Sequence, residues 1–107
     1  MLIVTSENIA GHDIVETLGF VRGATVRAKH VGTDIVASLK KLVGGELTGY
    51  SSLLAGAREQ AIDRMIVDAQ AKGADAIIVM RIQTSAIASG SSEIVAYGTA
   101  VRLAASK

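Results

Sequence analysis

Two C-terminal runs of this chain are apolar at position after position, and that pattern narrows its fold more than any other feature. In the first run, Ile77 and Val79 would point one way and Ile78, Met80 and Ile82 the other. In the second, Ile94, Ala96 and Ala100 oppose Val95, Tyr97, Val101 and Leu103. A sheet with one wet face alternates apolar and polar residues, so strands like these need cover on both faces. Between the runs, at 76–85 and 93–104, Ser89-Gly90-Ser91-Ser92 reads as the turn of an antiparallel hairpin.

The rest of the chain has to supply that cover. Leu2 to Thr5 reads as a short first strand, followed by a loop from Glu7 to His12 that closes at Gly11. Ile14 to Ala28 is rich in β-branched residues and reads as one long bent strand or two, interrupted near Gly19 and Gly23. Glycine inside a strand pattern marks a bulge, a bend or a close backbone approach. Thr33 or Asp34 can cap a short helix that carries Ile35, Val36, Leu39, Leu42 and Val43 on one face and ends at Gly44-Gly45. A second helix is expected from Ser51 to Lys72, with Leu54, Ala57, Ala61, Met65 and Ala69 as its apolar stripe, widened by Leu53, Ile62 and Ile66. Arg58, Glu59, Asp63, Arg64, Asp68 and Lys72 fall on the other side, where Arg64–Asp68 and Asp68–Lys72 are i,i+4 pairs. Gly73 suits the left-handed residue that closes a helix.

The order β-β(β)-α-α-β-β, without linker or repeat, predicts one α+β domain over residues 1–107: an antiparallel or mixed sheet with two helices on one face. The tight Gly44-Gly45 link argues that both helices lie on the same side. The second face then needs another copy of the chain, because large exposed apolar patches mark interaction surfaces. The competing arrangement is a monomer with a helix on each face.

Composition removes several classes of function. There are no cysteines, which excludes thiolate nucleophiles, disulfides and Cys-type zinc or iron–sulfur sites. Lys plus Arg total 11 against 10 Asp plus Glu, so the basic excess of a nucleic-acid binder is missing. No run reaches the roughly 18 apolar residues of a membrane helix, and the N-terminal apolar run is too short for a secretion signal. A soluble cytoplasmic protein without nucleic-acid or membrane partners is expected. Half of the residues are hydrophobic but only three are aromatic, Phe20, Tyr50 and Tyr97, so the core has to be packed from Val, Ile, Leu and Ala.

The polar residues form no recognisable catalytic pattern, and no catalytic residue is assigned. Glu46, Tyr50, Arg58 and Glu59, around the start of the long helix, are the candidate ligand-binding cluster, with a solvated or interfacial salt bridge as the plainer reading. Gly44-Gly45-Glu46 lacks the preceding strand and the Lys-Ser/Thr of a phosphate loop. His12 and His30, the only histidines, are the weak metal candidates, but zinc needs three or four ligands.

Taken in order, Ile3 to Ile9, Val21-Arg22-Gly23-Ala24-Thr25-Val26-Arg27-Ala28, Gly44-Gly45-Glu46, Tyr50 to Leu54, Ala57-Arg58-Glu59, Gly73-Ala74-Asp75-Ala76 and Ala96 to Val101 resemble the YbjQ-like family of bacterial and archaeal proteins. The resemblance covers essentially the whole chain. It implies an α+β unit with helices packed on a sheet, and assembly into homopentameric rings. The family also carries a heavy-metal-binding label, which this chain supports poorly. Soft metals favour thiolates, leaving His, carboxylates or Met1, Met65 and Met80, and the two internal methionines suit a core. No cofactor is predicted, and a metal ion follows from the family label alone. The reading that results is a non-enzymatic oligomer that holds a small ligand or metal ion between subunits. An enzyme with an inter-subunit active site at Glu46, Tyr50, Arg58 and Glu59, or a partner-binding scaffold, are the alternatives.

Overall fold

The structure, a computed structural model, describes residues 1–28, 46–88 and 91–105. The short helix expected after Thr33, its Gly44-Gly45 terminus and the turn residues 89–90 lie outside the described residues. Four strands and one helix are described: β1 (Leu2–Ile3), β2 (Ile14–Ala28), α1 (Glu46–Ala71), β3 (Ala76–Ala88) and β4 (Ser91–Leu103). They form an α+β domain around a mixed sheet of order β1-β3-β4-β2. β1 runs parallel to β3, and the other pairs are antiparallel. One described helix thus stands where two were expected on one face.

The apolar stripe of α1 is seated as its spacing predicts. Ala57, Ala61, Met65 and Ala69 are completely buried against Val21, Ile77, Ile94, Ala96 and Ala100, with Ile62 and Ile66 packed at the margin. The helix begins at Glu46, five residues ahead of the expected Ser51. Gly49 costs about 1 kcal/mol relative to alanine, too little to stop a 26-residue helix from extending. At the other end Gly73 takes φ +74°. Its N–H donates to Gln70 O, and the Ala74 N–H reaches back to Ala69 O. These two bonds make the Schellman closure that glycine permits.

β2 is one continuous strand, irregular near Gly19, where φ is +112° and the pairing with β4 shifts. Gly23 has a different reason to be glycine. A Cβ there would overlap the Ala61 carbonyl and the Met65 amide, and would come within 2.7 Å of the Arg64 carbonyl carbon. The helix backbone therefore rests directly on the strand at this residue.

β3 departs from a regular alternation. Ile78 pairs with Thr99 and Arg81 with Tyr97, so Val79 and Met80 together oppose Gly98. Val79 takes φ +52°, a true outlier for a β-branched residue. Its amide and that of Met80 both point to the same edge, donating to Ser6 O and Val4 O at 3.1 Å. Successive amides in a regular strand point to opposite edges. The bulge also corrects the expected faces: Met80 packs on the same side as Ile77, while Ile78 lies on the other. The hairpin strands are longer than expected, reaching Ala88 and starting at Ser91, because Ser85, Ala86 and Ala88 continue the ladder with Glu93, Ser92 and Ser91. Cross-strand pairing there overrides the turn preference of the serines.

Both faces of the sheet carry apolar clusters. Beneath α1 lies the main core; on the opposite face Ala76, Val101 and Ile78 are roofed by Val4 and Ile9. Among the described residues this roof reaches only part of that face. Thr25, opposite Ile94 on the helix side, is 1% exposed, and its Oγ1 has no hydrogen-bond partner among the described residues. An unmade buried hydroxyl bond costs about 1–3 kcal/mol. Thr25→Val is accordingly expected to raise stability by about 1 kcal/mol or more in urea melts, and a loss of stability would show that the hydroxyl is satisfied.

Candidate functional site

The four residues proposed for a ligand cluster are strung along α1. Glu46 and Tyr50 lie in its first turns, and Arg58 and Glu59 are exposed further on. Glu46, Tyr50 and Arg58 share one i,i+4 row of the helix, but at 1.5 Å per residue Glu46 and Arg58 are about 18 Å apart along the axis. Glu59 lies about 100° further round from Arg58. The helix does not bring the four to one point. His12 is exposed in the loop before β2, with its backbone N–H donating to Ile9 O at 3.1 Å; His30 lies outside the described residues. Among the described residues no three His, Cys, Asp or Glu gather as a metal site. Met65 is buried, Met80 packs at the core margin and Met1 is exposed.

The polar side chains that do reach across the fold are different ones. On the outer row of α1, Asp68 Oδ2 accepts the backbone N–H of Arg22 at 3.1 Å, and its Oδ1 binds Lys72 Nζ at 3.1 Å. Arg64, expected to pair with Asp68, donates instead to the Ala24 carbonyl. Asp75 Oδ2 accepts the Leu103 N–H, and Arg81 Nη1 donates to Thr5 O under the N-terminal roof. Helical spacing identified the Asp68–Lys72 pair; nothing in the sequence indicated the contacts to β2.

The Arg22 N–H, and after it Lys72, hold the Asp68 carboxyl below the usual carboxylate range. A lowered folded pKa means that this contribution to stability is complete above the unfolded value of about 3.9 and fades as pH falls through the lower folded one. Asp68→Asn should therefore flatten the acid limb of a stability–pH profile below about pH 4. An unchanged acid limb would contradict the assignment.

Among the described residues, a stretch of sheet on the face opposite α1 is left without cover. Phe20 and Tyr97 stand there side by side with ring centroids 6.2 Å apart, and Phe20 is 59% exposed. Their cross-strand partners are Thr99 for Phe20 and Arg22 for Tyr97. Further along the same face Val26 is 52% exposed. Tyr97 pairs with Arg22 on one side and Arg81 on the other, so two exposed guanidinium side chains flank the aromatic pair on this face. The sequence had placed Tyr97 on the second face but gave no sign that Phe20 would join it.

A family model described as "Putative heavy-metal-binding" (YbjQ) matches residues 1–104. The chain is 57% identical over 103 residues to a UPF0145 protein of Clostridioides difficile, covering 96% of this chain and 92% of the relative. It is 52% identical over 107 residues to a UPF0145 protein of Shewanella frigidimarina, covering the whole of both. The fold resembles the crystal structure of a protein of unknown function in the DUF74 family from Pediococcus pentosaceus. That likeness has a TM-score of 0.65 at 18% identity, over 97% of this chain and 98% of the other.

Proposed function

This chain belongs to the YbjQ family, and on that premise we propose that it works as a ring of identical copies that holds a small ligand or ion between them and catalyses no reaction. Five copies is the number the family resemblance implies, and the cytoplasm is the compartment that suits a chain without cysteine.

The observation that carries this reading is the Phe20–Tyr97 pair, with Phe20 59% exposed, on a sheet face that the described residues cover only in part. The shape of the molecule agrees with it. A compact domain of 107 residues has a radius of gyration of about 13 Å; this one has 17.4 Å and extends over 57 × 28 × 19 Å. A protomer so long and thin leaves much of its sheet for a neighbour to bury.

A heavy metal fits the described residues of one copy poorly, since they offer neither thiolate nor a cluster of imidazoles and carboxylates. A bound metal would have to be shared between copies, with His12 and Asp13 as the donors nearest to hand in sequence. Glu46, Tyr50, Arg58 and Glu59 are separated along the helix of one copy, so a ligand at that row would also draw on a second copy.

Sedimentation velocity on the wild-type protein tests the assembly: a defined multiple of 11.0 kDa is expected, and a monomer at micromolar concentration would sink the reading. Native mass spectrometry of protein from its own host then shows what the assembly retains. Zinc, nickel and copper titrations that leave the melting temperature unmoved would remove these metals from consideration, because binding to the native state has to stabilise it.

A further inference from the structure

Among the described strands β2, of 15 residues, is at the edge of the sheet, with Val15, Phe20 and Val26 all more than half exposed. Long apolar edge strands recruit other strands, and folded proteins need a device to prevent it. Glycines do not supply it here: the strand pairs with β4 from Ile14 to Ala28, with its irregularities confined to the first few residues.

We propose that Arg64 and Asp68 are that device, an edge guard that stands in for a fifth strand. The Asp68 carboxylate takes the Arg22 N–H, and the Arg64 guanidinium gives a hydrogen bond to the Ala24 carbonyl. A neighbouring strand would offer a carbonyl to the first group and an amide to the second. The helix therefore presents one acceptor and one donor, four residues apart, to two backbone groups two residues apart near the middle of the strand. Lys72, the next residue of the same helical row, binds the other Asp68 oxygen and fixes the direction of the carboxylate. The close rest of the helix on Gly23, between the two guarded residues, brings both side chains within reach of the edge. With this edge closed, copies of the chain can meet through the sheet face without running together through β2. The guard does not depend on the ligand-binding reading above.

The test is an Arg64→Ala/Asp68→Ala protein compared with the wild type over a dilution series. Amide exchange at Arg22 and sedimentation are measured on the same samples. At low concentration the Arg22 amide should exchange roughly tenfold faster than in the wild type, as for loss of a charged hydrogen bond. On concentration the variant should form larger species than the wild type, with that amide protected again by the incoming strand. A size distribution identical to the wild type at every concentration would overturn the proposal. So would larger species in which the Arg22 amide still exchanges freely. If the double variant fails to fold, Arg64→Ala alone exposes the Ala24 carbonyl while Asp68 still holds the Arg22 amide, and the size distribution on concentration is then the readout: larger species than the wild type support the guard and an unchanged distribution overturns it.

Discussion

Gly23→Ala is expected to cost about 3 kcal/mol or more, at the upper end of overpacking substitutions, and so to lower the melting temperature by roughly 12 °C or more. The added methyl has nowhere to go. It meets the Ala61 carbonyl and the Met65 amide, backbone groups that cannot swing aside like the end of a side chain. To admit it, α1 has to lift off β2, and Ala57, Ala61, Met65 and Ala69 lose contact with the sheet together. Gly56→Ala is the paired control. Gly56 lies within α1 with nothing inside 4 Å of an added Cβ, so the same change there should stabilise by about 0.5–1 kcal/mol through helix propensity alone. Thermal melts of the two proteins separate these outcomes. Equal effects of the same sign would mean that the helix does not rest on Gly23 as described.

If copies meet through the Phe20–Tyr97 face as proposed, Phe20→Asp should separate them and leave the protomer folded. The side chain is 59% exposed within one copy, so its loss removes little from the protomer's own core. Between copies the change is severe. Burying a phenylalanine contributes about 1.5–3 kcal/mol, and a carboxylate in its place would have to be desolvated without a partner. The dissociation constant should rise at least about a hundredfold. Sedimentation equilibrium would show the mass falling to that of one chain, with circular dichroism unchanged. If the variant kept the wild-type mass, the Phe20–Tyr97 face would not be the surface through which copies meet.

Much of the scaffold was legible because local and tertiary signals coincide. The run Ala57, Ala61, Met65, Ala69 has helical spacing, and all four are buried. Ile94, Ala96 and Ala100 oppose Val101 and Leu103 as the alternation in β4 required. The reading broke down where a distant backbone decides. Val79 carries no local mark of a bulge, since valine is among the residues least suited to φ +52°. Its conformation is set by Ser6 and Val4, more than seventy positions earlier. The roof of Val4 and Ile9 was missed for a related reason: a two-residue strand and a loop give too little periodicity to assign a face. Arg64 illustrates the same limit at the level of side chains. Helical spacing offered it Asp68, but a free carbonyl on β2 lies within reach of the guanidinium. As for the candidate site, sequence proximity gathered Glu46, Tyr50, Arg58 and Glu59, whereas a continuous helix spreads them. Phe20 and Tyr97 come together only because β2 and β4 pair in one particular register.

The extra residue at Val79–Met80 separates two jobs that a regular strand would join. Deleting Val79 would leave Ile78 opposite Thr99 and Arg81 opposite Tyr97, so the hairpin would stay aligned from end to end. The lost residue would take with it the amide that binds Ser6 O, one of several backbone bonds that tether the chain's first segment. Evolution or an engineer can therefore loosen the amino-terminal flap by changing chain length at a single place, without disturbing the order of the strands beneath it.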